Sequence, residues 1–210
     1  MASGKNYKRR TQIQRSELTR NALLKATIEC LLELGYAKTT SRAISRRAGV
    51  SQGAQQHYYP TRSHMIHAAI IDMTRQIVEE FITQLDITEK DEYLIAQEII
   101  DQLWVAHNLP IARAVYDVMS EARDDVEVAY HISKTLNSSV LSLHALFENL
   151  LPKASRHPKF LEWLMISETL MRGTVMISMI PGAKGGYAEW PLIRKHLLEE
   201  LFQGYFLKKN

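Results

Sequence analysis

An all-α fold is predicted for this 210-residue chain by three observations. Apolar side chains make up 46% of the sequence and recur at helical spacing over long stretches. The six prolines and nine glycines fall mainly between those stretches, which favours long helices with short connections over a sheet broken by many turns. Ser and Thr residues stand where several such helices begin, placed to accept hydrogen bonds from free backbone N–H groups. The length suits one ordinary domain or two small ones with a sizeable core.

The elements follow in chain order. Residues 1–15 carry Lys5, Lys8, Arg9, Arg10 and Arg15 without apolar periodicity and read as a flexible basic arm. Ser16 is the expected cap of a first helix over 17–34, with Leu23, Ala26, Cys30 and Leu34 on one face and Gly35 at its stop. Thr40 is placed to cap a short second helix over 41–48 that ends at Gly49, and Ser51 a third that runs to about Tyr59 before Pro60. Two short helices meeting at a glycine turn have the grammar of a helix-turn-helix, whose second helix enters the DNA major groove. Thr61 caps a fourth helix, with Ile66, Ala69, Met73, Ile77, Phe81 and Leu85 on one stripe, long enough to leave a small domain and join a larger one.

Further helices are expected over 89–107, 110–123, 125–151, 158–180 and 189–207, with a Pro181 and Gly-rich loop before the last. In the 125–151 helix, Ala129, Ile132, Leu136, Val140, Leu143, Phe147 and Leu150 form the stripe of a central core element. The helix from Phe160 to Ile180 is apolar around most of its circumference. The last one sets Trp190, Ile193, Leu197, Leu201 and Tyr205 in a row, widened by Leu198, Phe202 and Phe206. That is more apolar surface than one neighbour covers, so these two helices are expected to form a homodimer interface.

Charge is distributed unevenly. Residues 1–60 hold eleven Lys or Arg against three acids, whereas the chain as a whole carries only +3. A basic segment on a mildly acidic body implies a polyanionic partner for the first part only. The arm serves either as a minor-groove finger or as a tail adding salt-sensitive affinity. The single Cys30 lies in an apolar pattern, and no apolar leader or run of membrane-spanning length occurs, so a cytoplasmic protein without membrane attachment is expected. An enzyme reading lacks its parts: there is no Gly-x-Ser-x-Gly, no phosphate-cradling glycine loop and no His-Glu-x-x-His. His64 and His67 stand three apart but lack a third ligand, so neither metal nor cofactor is expected. Glu29, Glu33 and the lack of aromatics in the first helix argue against a membrane-surface anchor.

The run Gly35-Tyr-Ala-Lys-Thr-Thr-Ser-Arg-Ala-Ile-Ser-Arg-Arg-Ala-Gly-Val-Ser-Gln-Gly-Ala-Gln-Gln-His-Tyr-Tyr-Pro-Thr-Arg62 resembles the N-terminal domain of the TetR family of bacterial transcriptional regulators. The resemblance covers about the first third of the chain. It implies a three-helix helix-turn-helix domain over 16–62, and an effector-binding and dimerisation domain over 63–210. The function implied is a repressor released from a palindromic operator by a small, apolar or amphipathic effector.

On this resemblance Thr40 approaches a phosphate, Tyr58 and Arg62 hold the DNA backbone, and Ser41, Arg42, Gln52, Gly53, Ala54 and Gln56 read or approach base edges, with Ser51 and His57 beside them. Gln55 and Gln56 depart from the family's usual aliphatic and aromatic pair. They are either solvent-facing filler or, for Gln56, a sign of an unusual operator preference. The effector pocket is expected among Trp104, His107, Tyr116, Met119, His144, Phe147, Trp163 and Met171, which offer bulk, thioethers and polar tips.

Overall fold

The computed structural model describes residues 11–86, 88 and 91–205, and among the described residues there is no strand. Lys5, Lys8, Arg9 and Arg10 of the basic arm, the expected helix start at Glu89, the side chain of Tyr205, and Phe206 lie outside the described residues. The chain divides into two compact units between Ala69 and Ile70.

In the first unit α1 spans Gln12–Lys38, five residues earlier than its apolar pattern suggests. The cap is Thr11, not Ser16. The Thr11 hydroxyl accepts from the Gln14 N–H at 3.2 Å, and the Thr11 N–H donates to Gln14 Oε1 at 3.1 Å. This reciprocal box starts the helix well before its buried face begins at Leu23, so Arg15 belongs to α1 and not to an arm. Gly35, at φ +74°, breaks the helix, and one more turn follows through Tyr36.

The Thr40 hydroxyl caps α2 (Ser41–Ala48) by accepting from Ala43 N–H at 3.1 Å. Gly49 closes α2 in the left-handed conformation at φ +66°, which a side chain adopts only with strain. Ser51 caps α3 (Gln52–Tyr58) through Ala54 N–H at 3.2 Å. Leu23, Ala26 and Cys30 of α1 meet Ile44 of α2 and Met65 in a buried cluster, each large side chain worth about 1.5–3 kcal/mol of burial. Arg47 ties α2 to α1 through Glu33 and, at 3.8 Å, Glu29.

The fourth helix, α4 (Arg62–Gln84), starts where the Thr61 hydroxyl accepts from His64 N–H at 3.2 Å, and its stripe residues Ile66, Ala69, Met73 and Phe81 are buried. In the second unit α5 (Glu92–Asn108) is capped by Asp91 and α7 (Val126–Leu150) by Asp125, with α6 (Pro110–Glu121) between them. There follow a single turn α8 (Pro152–Ser155), α9 (Phe160–Ser178), α10 (Trp190–Glu199) and a π-helical turn (Glu200–Tyr205). The core joins Ile99, Ile100 and Leu103 of α5 to Phe147, Phe160, Leu164, Met171, Ile193, Leu197 and Leu201. Asp101 grips Arg194 with two bonds of 2.6 and 2.8 Å, fixing α10 on α5.

Two expectations about this unit need correction. Of the α7 stripe only Ile132 and Phe147 are fully buried, because the middle of the helix borders a cavity instead of core. In α10, Ile193, Leu197 and Leu198 are already covered within the unit, Trp190 stacks on Trp104 at 4.6 Å, and Phe202 packs on Tyr93, so of its large apolar side chains Leu192 is the one well exposed. The apolar surface left over belongs to α9, where Leu161, Met165, Ile166, Leu170 and Ile177 are exposed opposite the buried Phe160, Leu164, Met171 and Val175.

Candidate nucleic-acid interface and helical cavity

On the first unit, local capping decides which side chains face outward. Thr40, Arg42, Ser51, Gln52, Gly53, Gln56 and His57 are exposed, while Ser41, Ala54, Tyr58 and Arg62 are half-buried. Gln55 points inward at 2% exposure, and its Nε2 donates to the Tyr59 carbonyl at 2.6 Å. A polar residue in a packed position is thus satisfied by the end of its own helix. That sets the rotation of α3 and turns Gln56 to solvent.

Arg62 has an inward role. Its Nε donates to the Thr39 carbonyl at 2.7 Å, a second N–H reaches the Tyr36 carbonyl, and its guanidinium lies over the Tyr36 ring at 4.0 Å. These carbonyls lie at the C-terminal end of α1, where helix C-termini leave acceptor capacity that Arg62 takes up. The start of α1 and the end of α3 enclose a recess that includes Arg15, Thr19, Arg20, His57 and Tyr58. Its α1 members went unnoticed in the sequence because nothing local links residues 15–20 to residue 58. His64 bonds the Thr61 hydroxyl at 2.7 Å through its ring.

The second unit contains a cavity of about 480 Å³. Its walls are the Ile70–Ile82 part of α4, Leu103 and His107 of α5, Val115, Tyr116 and Met119 of α6, Ile132 to Leu146 of α7, and Glu168 with Arg172 of α9. Of the expected effector residues, His107, Tyr116 and Met119 line it. The other five do not. Trp104 is stacked on Trp190, Phe147 and Met171 are sealed in the core, and the Trp163 indole donates to the Leu197 carbonyl at 3.3 Å. His144 faces Phe160 and Glu148. Bulky residues were misplaced because bulk serves cores as well as pockets.

Glu168 and Arg172 were the members missed. Their signal was a charged pair at i, i+4 in the middle of an otherwise apolar helix. In the structure Glu168 accepts from His107 Nε2 and from Arg172, both at 3.4 Å. The other ring nitrogen of His107 bonds the Tyr116 hydroxyl, and the Arg172 guanidinium stands 6.0 Å from the Tyr116 ring centre. Burial opposes the charge of Glu168, yet His107 and Arg172 outweigh it and hold the carboxyl below its ordinary range. Burial pushes the Tyr116 phenol well above its ordinary value, so its proton stays in place.

Residues 23–69 match the family described as bacterial regulatory proteins, tetR family. An uncharacterized HTH-type transcriptional regulator of Mycobacterium bovis is 28% identical over 137 residues, 64% of this chain and 69% of that protein. The HTH-type transcriptional regulator CymR of Pseudomonas putida is 34% identical over 94 residues, 45% of this chain and 46% of its own. Among solved structures, the multidrug binding protein EbrR in complex with imidazole aligns at TM-score 0.62 and 14% identity over 87% of this chain and 92% of that one. The fatty acid degradation regulator FadR from Bacillus halodurans aligns at 0.58 and 13% over 97% and 100%. At these identities the structural likeness concerns the fold. Among the described residues no helix is long and apolar enough to cross a membrane. With an all-helical fold, a capped helix-turn-helix and this match, residues 23–69 form a DNA-binding domain of the tetR family of bacterial regulatory proteins, and the chain is similar to HTH-type transcriptional regulators.

Proposed function

We propose that the protein is a homodimeric repressor that a small molecule, bound in the cavity of the helical unit, releases from a palindromic operator. The observation that carries this reading is the course of α4. This helix begins at Arg62 in the DNA-binding unit, and its Ile70, Ile77, Phe81 and neighbours form one wall of the cavity. An occupant that presses on that wall acts on the helix leading into the helix-turn-helix. Two recognition helices must lie about 34–36 Å apart to meet successive major grooves, so a small displacement breaks the match. The effector must favour the mismatched state in free energy, or release does not follow.

In this reading Gln52, Gly53, Ala54 and Gln56 approach bases, with Ser41 and Arg42 beside them. Thr40, Ser51, His57 and Tyr58, joined by Arg15 and Arg20, hold phosphates. Arg62 serves as an internal clamp. The exposed Leu161, Met165, Ile166, Leu170 and Ile177 of α9 form the face that a second copy covers. Selection of random duplex DNA at fixed salt tests the first part. Recovery of a palindrome with half-sites one turn apart is the expected result, and no enrichment over non-specific binding would refute it. The release is then read as the loss of operator affinity at saturating cavity ligand. Unchanged affinity rules out derepression.

A further inference from the structure

The walls of the cavity are mostly aliphatic, with Ile70, Ile77, Ile132, Leu136 and Leu143 among them, and few aromatic faces are available for a flat ring system to stack on. Every charged group at the cavity already has an opposite partner. Arg75 bonds Asp72 at 2.7 Å and also Glu79, both on its own helix. Arg172 and His107 share Glu168. The four groups of α5, α6 and α9 form a circuit, from Glu168 to His107, to the Tyr116 hydroxyl, past the Arg172 guanidinium, and back to Glu168. His107 Nε2 faces the Glu168 carboxylate and its Nδ1 faces the Tyr116 hydroxyl.

No uncompensated charge remains for an ionic ligand. Arg172 Nε is buried without an acceptor, but a carboxylate that takes it stands against the Glu168 carboxylate or displaces it, and a cation must pull Glu168 from Arg172 and His107. A carboxylate or ammonium group therefore enters only against the charge it meets at Glu168 or Arg172, whereas an uncharged molecule fills the aliphatic space, can offer a hydroxyl oxygen to Arg172 Nε, and leaves the circuit intact. Resting on the reading of this cavity as the effector site, we propose that the effector is an uncharged molecule with an aliphatic or alicyclic body, and that the Glu168–His107–Tyr116–Arg172 circuit rejects its charged analogues.

Three probes share one hydrocarbon and differ in head group: decan-1-ol, decanoate and decyltrimethylammonium. Each is titrated calorimetrically into the full-length protein at neutral pH, below micelle-forming concentration. Decanol is expected to bind tighter than either ion by about tenfold or more, the scale of one uncompensated charge-assisted contact. Leu136→Trp and, independently, Ser139→Trp fill the cavity and should abolish decanol binding. Glu168→Gln leaves Arg172 without its carboxylate, so preference should swing towards decanoate. Should that variant fail to fold, the wild-type ranking alone decides. Tightest binding of decanoate or of the ammonium by the wild-type protein overturns the proposal but keeps the cavity as a ligand site. Binding of none of the three, or binding indifferent to both tryptophans, removes the effector site and this proposal with it.

Discussion

Three side chains in this protein act differently from what their type suggests. Arg62 reads in sequence as a phosphate ligand, but its fork is occupied by two carbonyls and a tyrosine face. Replacing it with Ala should destabilise the N-terminal unit by about 2 kcal/mol, since charge-assisted bonds to buried carbonyls are lost. Urea unfolding measures this, and a variant as stable as wild type that merely binds DNA less well would restore the phosphate role. Gln55 and Gln56 are neighbours with opposite tasks. Gln55→Leu should alter stability and leave base preference alone. Gln56→Ala should relax preference at one operator position by about 1–3 kcal/mol, seen by comparing operator variants. A change of preference from Gln55→Leu would show that the rotation of α3 assigns them wrongly. Glu168 contributes to stability as a carboxylate whose folded pKa lies below its unfolded value. Its contribution is therefore complete above the unfolded value of about 4.3 and is lost as pH falls through the lower folded one. Melting curves from neutral to acid pH should fall less steeply in Glu168→Gln than in wild type, and parallel curves would show the circuit adds nothing.

At the scale of elements, helix boundaries follow from caps more than from apolar rows. The second and third helices match expectation because Thr40, Gly49 and Ser51 are local devices, whereas α1 begins five residues early on a box made of polar residues alone. The two helices with the richest apolar patterns part company. α10 spends its surface inside the unit, while α9 presents one row to the core and another to solvent. Placing a charge in the exposed row, as Ile166→Glu with Leu170→Glu, should convert the proposed dimer to monomers that keep their helix content. Analytical ultracentrifugation with circular dichroism checks both, and a persistent dimer would move the interface off α9.

At the scale of the whole molecule, the positive charge is concentrated in the first 60 residues, with eleven Lys or Arg against three acids. Binding to DNA should weaken linearly in log affinity against log salt, because each neutralised phosphate releases counterion. Arg15→Ala with Arg20→Ala should reduce that slope by about one unit per arginine in each protomer that touches phosphate. An unchanged slope would take the α1 recess out of the DNA interface.

The sequence by itself determined the all-helical class, the order of most helices, and the helix-turn-helix with its caps. These are local properties: apolar spacing, hydroxyl caps and a glycine that accepts a positive φ all act within a few residues. Only the tertiary structure decided which apolar faces are left uncovered and which residues border empty space. Trp104, Phe147, Trp163 and Met171 have the same character as pocket residues, yet packing against other helices, such as Trp104 on Trp190 and Trp163 on Leu197, places them in or against the core. Conversely Glu168 and Arg172, ordinary surface residues by type, became the polar end of a cavity because α5, α6 and α9 converge there. Burial and charge compensation depend on contacts between distant segments, and no periodicity within one helix encodes them.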